Sequence, residues 1–382
     1  MKPTYFLYYV FINILETFFR LFPFPAKTGY RRVGSPTEDS PVLLTCNFHL
    51  TILRLKNAIK GIDCHLLVAN SKGINVWCAA AGGHLNNHSI ISVIKTSGIE
   101  KKVNHNTIIL PQLAAPGVEA KIIQKKTGWK VLWGPVNMTD IPQYLENNLN
   151  KTLEMKKVKF SFLYRIEMAV MWIFLVSIII MPIWGPLFQF EALFMLGQIC
   201  LIALLTFITF PLLEKLYSLE EEEKRAFLNI GNILVLLITL LYSSIGVILY
   251  AFVYLHDTKW ILLRWCIISI IMALMMNLEL KGSTPTYKSD SHADKLYKVI
   301  IDIERCRGTG ICIDVCPRNC FEMDSKTNKV TMPRNEYCVK CSACIVQCPF
   351  DALYFENPAG KIIQPDSIRK YKLNLMGRRI ET

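Results

Sequence analysis

"CVKCSACIVQCP" (residues 338–349) decides how the C-terminal part of this 382-residue chain folds. Its spacing, C-x2-C-x2-C-x3-C-P, is that of proteins that hold two iron–sulfur clusters: the first three thiolates bind one cluster and the fourth binds the neighbouring cluster. By the same rule, the cysteine of the Cys-Pro pair that ends the preceding motif is the fourth ligand of the first cluster. The predicted ligands of this first cluster are Cys338, Cys341, Cys344 and Cys316.

The preceding motif, "CRGTGICIDVCP" (residues 306–317), departs from this pattern because Thr309 stands where a thiolate is expected. A hydroxyl is a poor iron ligand, so three outcomes stay open: a three-iron cluster, a four-iron cluster completed by Cys320, or a cluster that is easily lost. The predicted ligands of the second cluster are Cys306, Cys312 and Cys348.

The two motifs together predict an α+β bacterial-type dicluster ferredoxin domain over residues 297–358. Losing one iron usually raises the reduction potential of a cluster. The first cluster, which has four thiolates, is therefore the expected final electron donor.

Composition places this domain in a reducing compartment. The chain has thirteen cysteines, and most of them lie from position 306 onward at close spacing, in two motifs that each end in Cys-Pro. This pattern favours metal ligation over a disulfide framework. The net charge is +13 at pH 7, yet no run of arginines with interleaved aromatic residues suggests nucleic acid. We expect the positive charge to face a membrane surface instead.

Four apolar stretches predict an all-α transmembrane domain of about four helices over residues 166–280, followed by a linker over 281–296. Lysines and arginines lie before the first stretch, between the second and third, and after the fourth. The positive-inside rule places these segments in the cytoplasm and so predicts a multi-pass protein of the cell membrane with both of its other domains in the cytoplasm. The four apolar stretches are 168–184, 192–213, 228–255 and 260–278. Residues 1–24 are predicted to form an aromatic interfacial helix, with a fifth span as the alternative. Residues 359–382 are predicted to be a basic tail suited to anionic lipid headgroups.

Residues 25–160 alternate between strand and helix patterns, which predicts an α/β domain with a largely parallel sheet. The predicted strands are "PVLLTCNF", "HLLVAN", "TIILPQL" and "KVLWGPV", and "APGVEAKIIQKKTGW" is a helix with Pro116 in its first turn. Such sheets bind ligands beyond the carboxyl ends of their strands. Cys78, in "GINVWCAAAGGH" after the second strand, is expected at that crevice. No phosphate-binding glycine motif accompanies the first strand, so nucleotide binding is not predicted.

Taken by itself, an isolated cysteine such as Cys78 is usually an inert filler. However, "KGINVWCAA", "TIILPQLAAPGV", "GWKVLWGPV" and "KGSTP" resemble the mercury-methylation corrinoid protein, a membrane-anchored relative of the corrinoid iron–sulfur protein, over about residues 25–285. The C-terminal stretch resembles its dicluster ferredoxin partner, here fused into one chain. The resemblance departs in two places: Ala81-Gly82-Gly83 replaces the usual Gly-Lys-Gly, and the tail lacks the vicinal cysteine pair.

The resemblance implies a Rossmann-like corrinoid-binding domain in which a cap helix presents Cys78 as the lower axial ligand of cobalt. A thiolate is a strong, soft donor to cobalt, while the cofactor carries the chemistry. The implied cofactor-binding residues are Asn75, Val76, Trp77, Cys78, Ala79 and Ala80.

The expected function is that of a membrane-anchored, corrinoid-dependent methyltransferase whose fused ferredoxin reduces cobalt to Co(I). Two alternatives are mercury methylation proper and a membrane electron-transfer ferredoxin without methyl transfer. The expected cofactors are a corrinoid, one [4Fe-4S] cluster and a second [4Fe-4S] or [3Fe-4S] cluster. The expected partners are membrane lipids, an unidentified methyl-donor protein, a small-molecule or metal-ion methyl acceptor and an upstream reductase.

Overall fold

The computed structural model describes residues 3–187, 189–212, 297–357, 359–373 and 379–381, with short separate pieces between 237 and 272. The chain forms two compact units. The helical unit comprises Met1–Leu21 and Phe160–Ser283, and the two-domain unit comprises Phe22–Lys159 and Thr284–Thr382.

The labelled helices are α1 (Pro3–Phe18), α2 (His49–Ala58), α3 (Val76–Ala81), α4 (Asn87–Thr96), α5 (Ala120–Thr127), α6 (Ile141–Glu146), α7 (Leu153–Lys156), α8 (Phe162–Leu187), α9 (Gln189–Ile208), α10 (Ile311–Val315), α11 (Ala343–Gln347) and α12 (Pro365–Lys370). The strands are β1 (Gly29–Val33), β2 (Val42–Cys46), β3 (Cys64–Ala69), β4 (Thr107–Leu110), β5 (Lys130–Trp133), β6 (Lys298–Ile301), β7 (Glu322–Asp324), β8 (Lys329–Thr331), β9 (Leu353–Glu356), β10 (Ile362–Ile363), β11 (Tyr371–Leu373) and β12 (Arg379–Glu381).

The N-terminal domain is built on a five-stranded sheet in the order β1-β3-β2-β4-β5. The four predicted strands are confirmed as β2 to β5, and they pair in parallel. The sequence analysis missed β1, which runs antiparallel beside β3 at the edge. Its Arg31 and Arg32 break the apolar pattern that marks a buried strand.

Both faces of this sheet are covered by helices, as expected for a parallel sheet. Successive residues point to opposite faces, so Leu44 of β2 packs into one core with Leu67 and Leu110, while Leu43 packs into a second core with Leu66. One predicted helix boundary is wrong. Pro116 precedes the helix, since α5 begins only at Ala120 and residues 115–119 form a loop.

The C-terminal domain holds the antiparallel sheet β10-β9-β6 and the hairpin β7–β8. Residues 359–382 were predicted to be a basic tail, but the part that the structure describes carries α12 and the strand pair β11–β12. Three of its cations bind the protein itself instead of pointing into solvent. Arg379 donates to the Tyr371 carbonyl (2.7 Å), Arg369 pairs with Asp366 (3.2 Å), and Lys372 is buried.

In the helical unit, α8 contains the predicted span 168–184, and α9 covers most of the second, 192–213. Among the described residues, one helical stretch, Phe162–Ile183, is long and apolar enough to cross a membrane. The third predicted span lies largely outside the described residues, and of the fourth the structure describes Trp260 and Leu263–Met272, a helix shorter than a membrane span. A four-helix transmembrane bundle is therefore not supported by the described residues.

The N-terminal segment forms α1, which packs against α8. The rings of Phe18 and Phe19 lie 5.1 Å and 4.8 Å from that of Phe174, and Arg20 pairs with Glu167 at 3.3 Å. The prediction of an interfacial helix, with a fifth span as its alternative, stays a prediction.

Candidate functional site

Cys78 lies on α3, at the carboxyl edge of the parallel sheet where β3 ends. Asn75 is the N-cap of this helix, and its side chain accepts a hydrogen bond from the Cys78 backbone N–H (2.9 Å). A cap of this kind satisfies a backbone donor that a helix start leaves without a partner. The cap therefore fixes the first turn of α3, which carries the thiol of interest.

The six implied cofactor-binding residues divide into two groups. Asn75, Val76, Trp77 and Cys78 are half-buried, whereas Ala79 and Ala80 are fully buried. Ala79 belongs to the core above the sheet. The two alanines are thus closed off from solvent, whereas the first group stays partly open to it, with Val76 also packed against this core.

A buried asparagine that the sequence analysis missed organises the loop before α3. The Oδ1 atom of Asn47 accepts hydrogen bonds from Ser71 N (2.8 Å), Ser71 Oγ (2.9 Å) and Gly73 N (3.0 Å). Its Nδ2 atom donates to the Ala26 carbonyl (3.2 Å). The Ile74 carbonyl oxygen also lies 2.7 Å from Ser71 Oγ, so the single proton of this hydroxyl is shared between two acceptors. The available signal was its position, directly after strand β2.

The loop after β4 supports α3 from another side. A Cβ atom added at Gly117 would lie 2.5 Å from the carbonyl oxygens of Ala80 and Leu85. No side chain fits there, so the backbone of this loop lies directly against the end of the helix that carries Cys78.

The predicted ligands of the first cluster line one cavity. Around it lie the four thiols predicted from spacing, together with Cys320. Three of these ligands are buried and Cys341 is half-buried. The donor set of this cavity fits a cubane bound by four thiolates.

A second cavity holds the predicted ligands of the second cluster. It is lined by Cys306, Cys312 and Cys348, with Thr309 in the wall. Burial raises the pKa of the Cys312 thiol to about 12, with a smaller contribution from Cys348. A thiolate at this position therefore needs a nearby cation such as iron. These cavities are spaced for clusters and not for a single ion: in the described parts of the chain, no three His, Cys, Asp or Glu side chains come close enough together to bind one metal ion.

The two cavities are related by an internal repeat. α10 and α11 each begin after a left-handed residue, Gly310 (φ 70°) and Ser342 (φ 64°), and each ends at an extended cysteine, Cys316 or Cys348. At one constant offset in the sequence, Thr309 corresponds to Cys341.

The same offset relates Cys320 to Ala352. Ala352 N donates to Cys348 Sγ (3.3 Å), and Cys320 N donates to Cys316 Sγ (3.3 Å). Cys320 lines the first cavity and does not line the second. This position argues against Cys320 as the fourth ligand of the second cluster.

The fold and these cavities define a chain with an α/β domain and a dicluster iron–sulfur domain, and comparison with known proteins agrees. Residues 20–145 match the family described as "CO dehydrogenase/acetyl-CoA synthase delta subunit", and residues 305–352 match the family described as "4Fe-4S dicluster domain".

Curated relatives match about a third of this chain. The acetyl-CoA decarbonylase/synthase complex subunit gamma of Methanothermobacter thermautotrophicus is 40% identical over 120 residues, which is 31% of this chain and 26% of that protein. Subunit gamma 2 of Methanosarcina mazei is 41% identical over 121 residues (31% and 25%), and the subunit gamma of Archaeoglobus fulgidus is 38% identical over 128 residues (33% and 27%). The chain thus spans only about a quarter of the length of these relatives.

The predicted α/β domain and the predicted 4Fe-4S dicluster domain are confirmed by these matches. They relate the N-terminal domain to subunits of acetyl-CoA-forming complexes, and mercury methylation is not among the activities that their descriptions name.

Proposed function

We propose that this chain is a corrinoid-dependent methyl-transfer protein that carries its own iron–sulfur reductant. The observation that carries the proposal is the position of Cys78: a half-buried thiol on a capped helix, at the carboxyl edge of a sheet whose domain matches the acetyl-CoA synthase family. The carboxyl edge is where open α/β sheets bind their ligands.

The residues fit the two kinds of cofactor. Cys78 would supply a thiolate to the cobalt of a corrinoid, and Asn75, Val76 and Trp77 would help to hold that cofactor. Bound clusters would supply single electrons to cobalt, and a bound corrinoid would supply a cobalt whose reduced form takes up a methyl group from a donor and releases it to an acceptor. An external low-potential donor would restore the electrons of the clusters. The proposed cluster ligands are Cys338, Cys341, Cys344 and Cys316 for the first, and Cys306, Cys312 and Cys348 for the second.

Metal analysis tests this function. The full chain, purified without oxygen and supplied with cobalamin, should contain one cobalt per chain and show a corrinoid absorbance spectrum. Cys78→Ala should lose the thiolate-ligated spectrum, while Cys200→Ala, a half-buried cysteine of the helical unit, should keep it. Full iron content without cobalt in the wild type would instead favour the membrane electron carrier.

The identity of the methyl acceptor is a narrower proposal. Hg(II), a soft cation, is one candidate, supported by the resemblance of "KGINVWCAA" to the mercury-methylation protein. Membranes that carry the chain would receive Hg(II), a reductant and a methyl donor. Methylmercury that disappears in Cys78→Ala would establish this acceptor, and none beside a fully loaded corrinoid would point to another one.

We also propose that the chain is anchored in the cell membrane with both domains of the two-domain unit in the cytoplasm. The apolar stretch Phe162–Ile183 and the lysine-rich segment before it support this placement. The chain should resist extraction from membranes by high salt or alkali and dissolve in detergent. Protease added to the cytoplasmic side should cleave both domains.

A further inference from the structure

Gln347 joins the C-terminal domain to the loop that follows β4. Its Nε2 atom donates to the carbonyl oxygens of Ala115 (2.7 Å) and Val118, and its Oε1 atom accepts from Ala120 N (3.3 Å). The side chain is 7% exposed. All of the polar atoms of this amide are therefore used on one short segment of the other domain.

Two buried lysines make further contacts across the same boundary. Lys372 donates to the Pro116 carbonyl (3.1 Å). Lys151 of the N-terminal domain donates to Gln112 Oε1 and the Asp314 carbonyl (each 2.9 Å), and pairs with the Asp314 carboxylate at 3.0 Å. Buried polar groups are costly to leave without partners, so these contacts hold the two domains in one relative position.

The apolar contacts agree. Val315 of α10 and Ala343 of α11 are buried within the core of the N-terminal domain, and Ile311 and Cys341 pack against it. Cys341 is a proposed ligand of the first cluster. The ligands of the second cluster lie only in the core of the C-terminal domain.

The loop that Gln347 binds also touches α3 through Gly117, whose α-carbon has no room for a side chain against Ala80 and Leu85. Residues 115–118 therefore lie between the helix of Cys78 on one side and α11 on the other.

We infer that Gln347, assisted by Lys151 and Lys372, is a positioning residue that fixes the site of the first cluster against the loop supporting Cys78, so that the reductant is docked and not merely tethered. This inference rests on the proposed function, and it names the first cluster as the one nearest the cobalt site. Electron transfer slows as the distance between donor and acceptor grows, so loss of this docking should slow reduction of the cobalt.

The test compares Gln347→Ala with Gln364→Ala in the full chain in detergent. Gln364 is exposed, and its side chain makes no capping bond to α12. The first measurement, hydrogen exchange over residues 112–120, needs no cofactor. Exchange of the Ala120 amide should rise at least about tenfold in Gln347→Ala and stay at the wild-type value in Gln364→Ala.

The second measurement is the rate at which pre-reduced clusters reduce bound cobalamin, compared at equal iron and cobalt contents. It should fall at least about tenfold in Gln347→Ala only. Unchanged exchange, or faster exchange with an unchanged rate, would overturn the inference. Should Gln347→Ala lose its clusters, Lys372→Met, which lies outside the cluster motifs, must show the same two effects. A wild type that binds no corrinoid would refute the proposed function, while the exchange result would still decide whether the domain is docked.

Discussion

The backbone N–H of Cys320 lies 3.3 Å from Sγ of Cys316 and donates a hydrogen bond to it. Ala352 makes the same bond to Cys348 in the second half of the repeat. Cys320 therefore lines the cavity that already has four thiols, whereas its counterpart Ala352 lines the cavity that has only three.

Removing this thiol should leave the second cluster unchanged. In Cys320→Ala the backbone N–H to Cys316 is retained, so we expect wild-type iron content and an unaltered electron paramagnetic resonance signal from the second cluster. Cys348→Ser, which removes a proposed ligand of that cluster, is the control and should change the signal. Loss of the second cluster in Cys320→Ala would restore Cys320 as its fourth ligand.

Adding a thiol at Thr309 should complete the second site. Thr309 lines the second cavity at the position that Cys341 holds in the repeat, so Thr309→Cys supplies a fourth thiolate. We expect a three-iron signal to be replaced by that of a four-iron cluster, with one more iron per chain. Thr331→Cys, an exposed position on β8, should leave the iron count as it was. An identical count in Thr309→Cys would show that this cavity already holds four irons.

Asn47 should be needed for the shape of the loop before α3. Asn47→Ala leaves the backbone N–H groups of Ser71 and Gly73 without their acceptor, which should lower the free energy of unfolding by about 2 kcal/mol and weaken corrinoid binding. Denaturant unfolding and a spectroscopic titration measure the two effects. Asn70→Ala is the control, since Asn70 is exposed and accepts one bond, from Lys72 N (2.9 Å). Equal losses in the two variants would refute the role of Asn47.

The cap and the cofactor wall make different demands on Asn75. Serine also caps helices, whereas alanine does not, and Asn75→Ala should cost about 1 kcal/mol of stability. If capping is its contribution, Asn75→Ser should bind corrinoid within about twofold of the wild type, and Asn75→Ala should bind it more weakly. Corrinoid absorbance titration measures both. Equal weakening in the two variants would assign Asn75 to direct contact with the ring.

Stability should depend on pH through Lys151. Burial lowers the pKa of Lys151 to about 8, and its ion pair with Asp314 offsets only part of that shift. Between pH 8 and about 10.5 the unfolded chain binds more protons at this lysine, so the free energy of unfolding rises with pH in that window. The difference between the wild type and Lys151→Met should grow by up to about 3 kcal/mol across it. Denaturant titrations at several pH values measure this difference, with Lys125→Met on the exposed side of α5 as the control. A difference in the free energy of unfolding that stays constant with pH would contradict the lowered pKa of Lys151.

Local pattern was sufficient for the buried strands and for the cysteine motifs. Strands β2 and β3 are apolar throughout and buried at every position, and cluster ligands are encoded by spacing. The edge strand β1 was missed because it carries two arginines and covers little core. The predicted start of α5 was wrong because residues 115–119 contact both α3 and the C-terminal domain. These tertiary contacts keep the segment around Pro116 as a loop, although proline is common in the first turn of a helix.

The cavity that Cys320 lines is decided by the internal repeat, and its spacing from the nearest cysteines alone does not reveal it. Aligning residues 306–320 with 338–352 would have indicated its cavity, because Ala352 stands at its place. Gln347 stands at a variable position of the second cysteine motif, and Asn47 belongs to no motif. Their importance comes from the carbonyl and amide groups that distant loops bring to them.

Val315 and Ala343 complete the interior of a domain to which neither belongs in sequence. A chain cut short before residue 297 would expose that apolar surface to water, together with the carbonyl groups of Ala115, Pro116 and Val118. The two domains thus share part of one interior, and each keeps water away from groups that the other leaves uncovered.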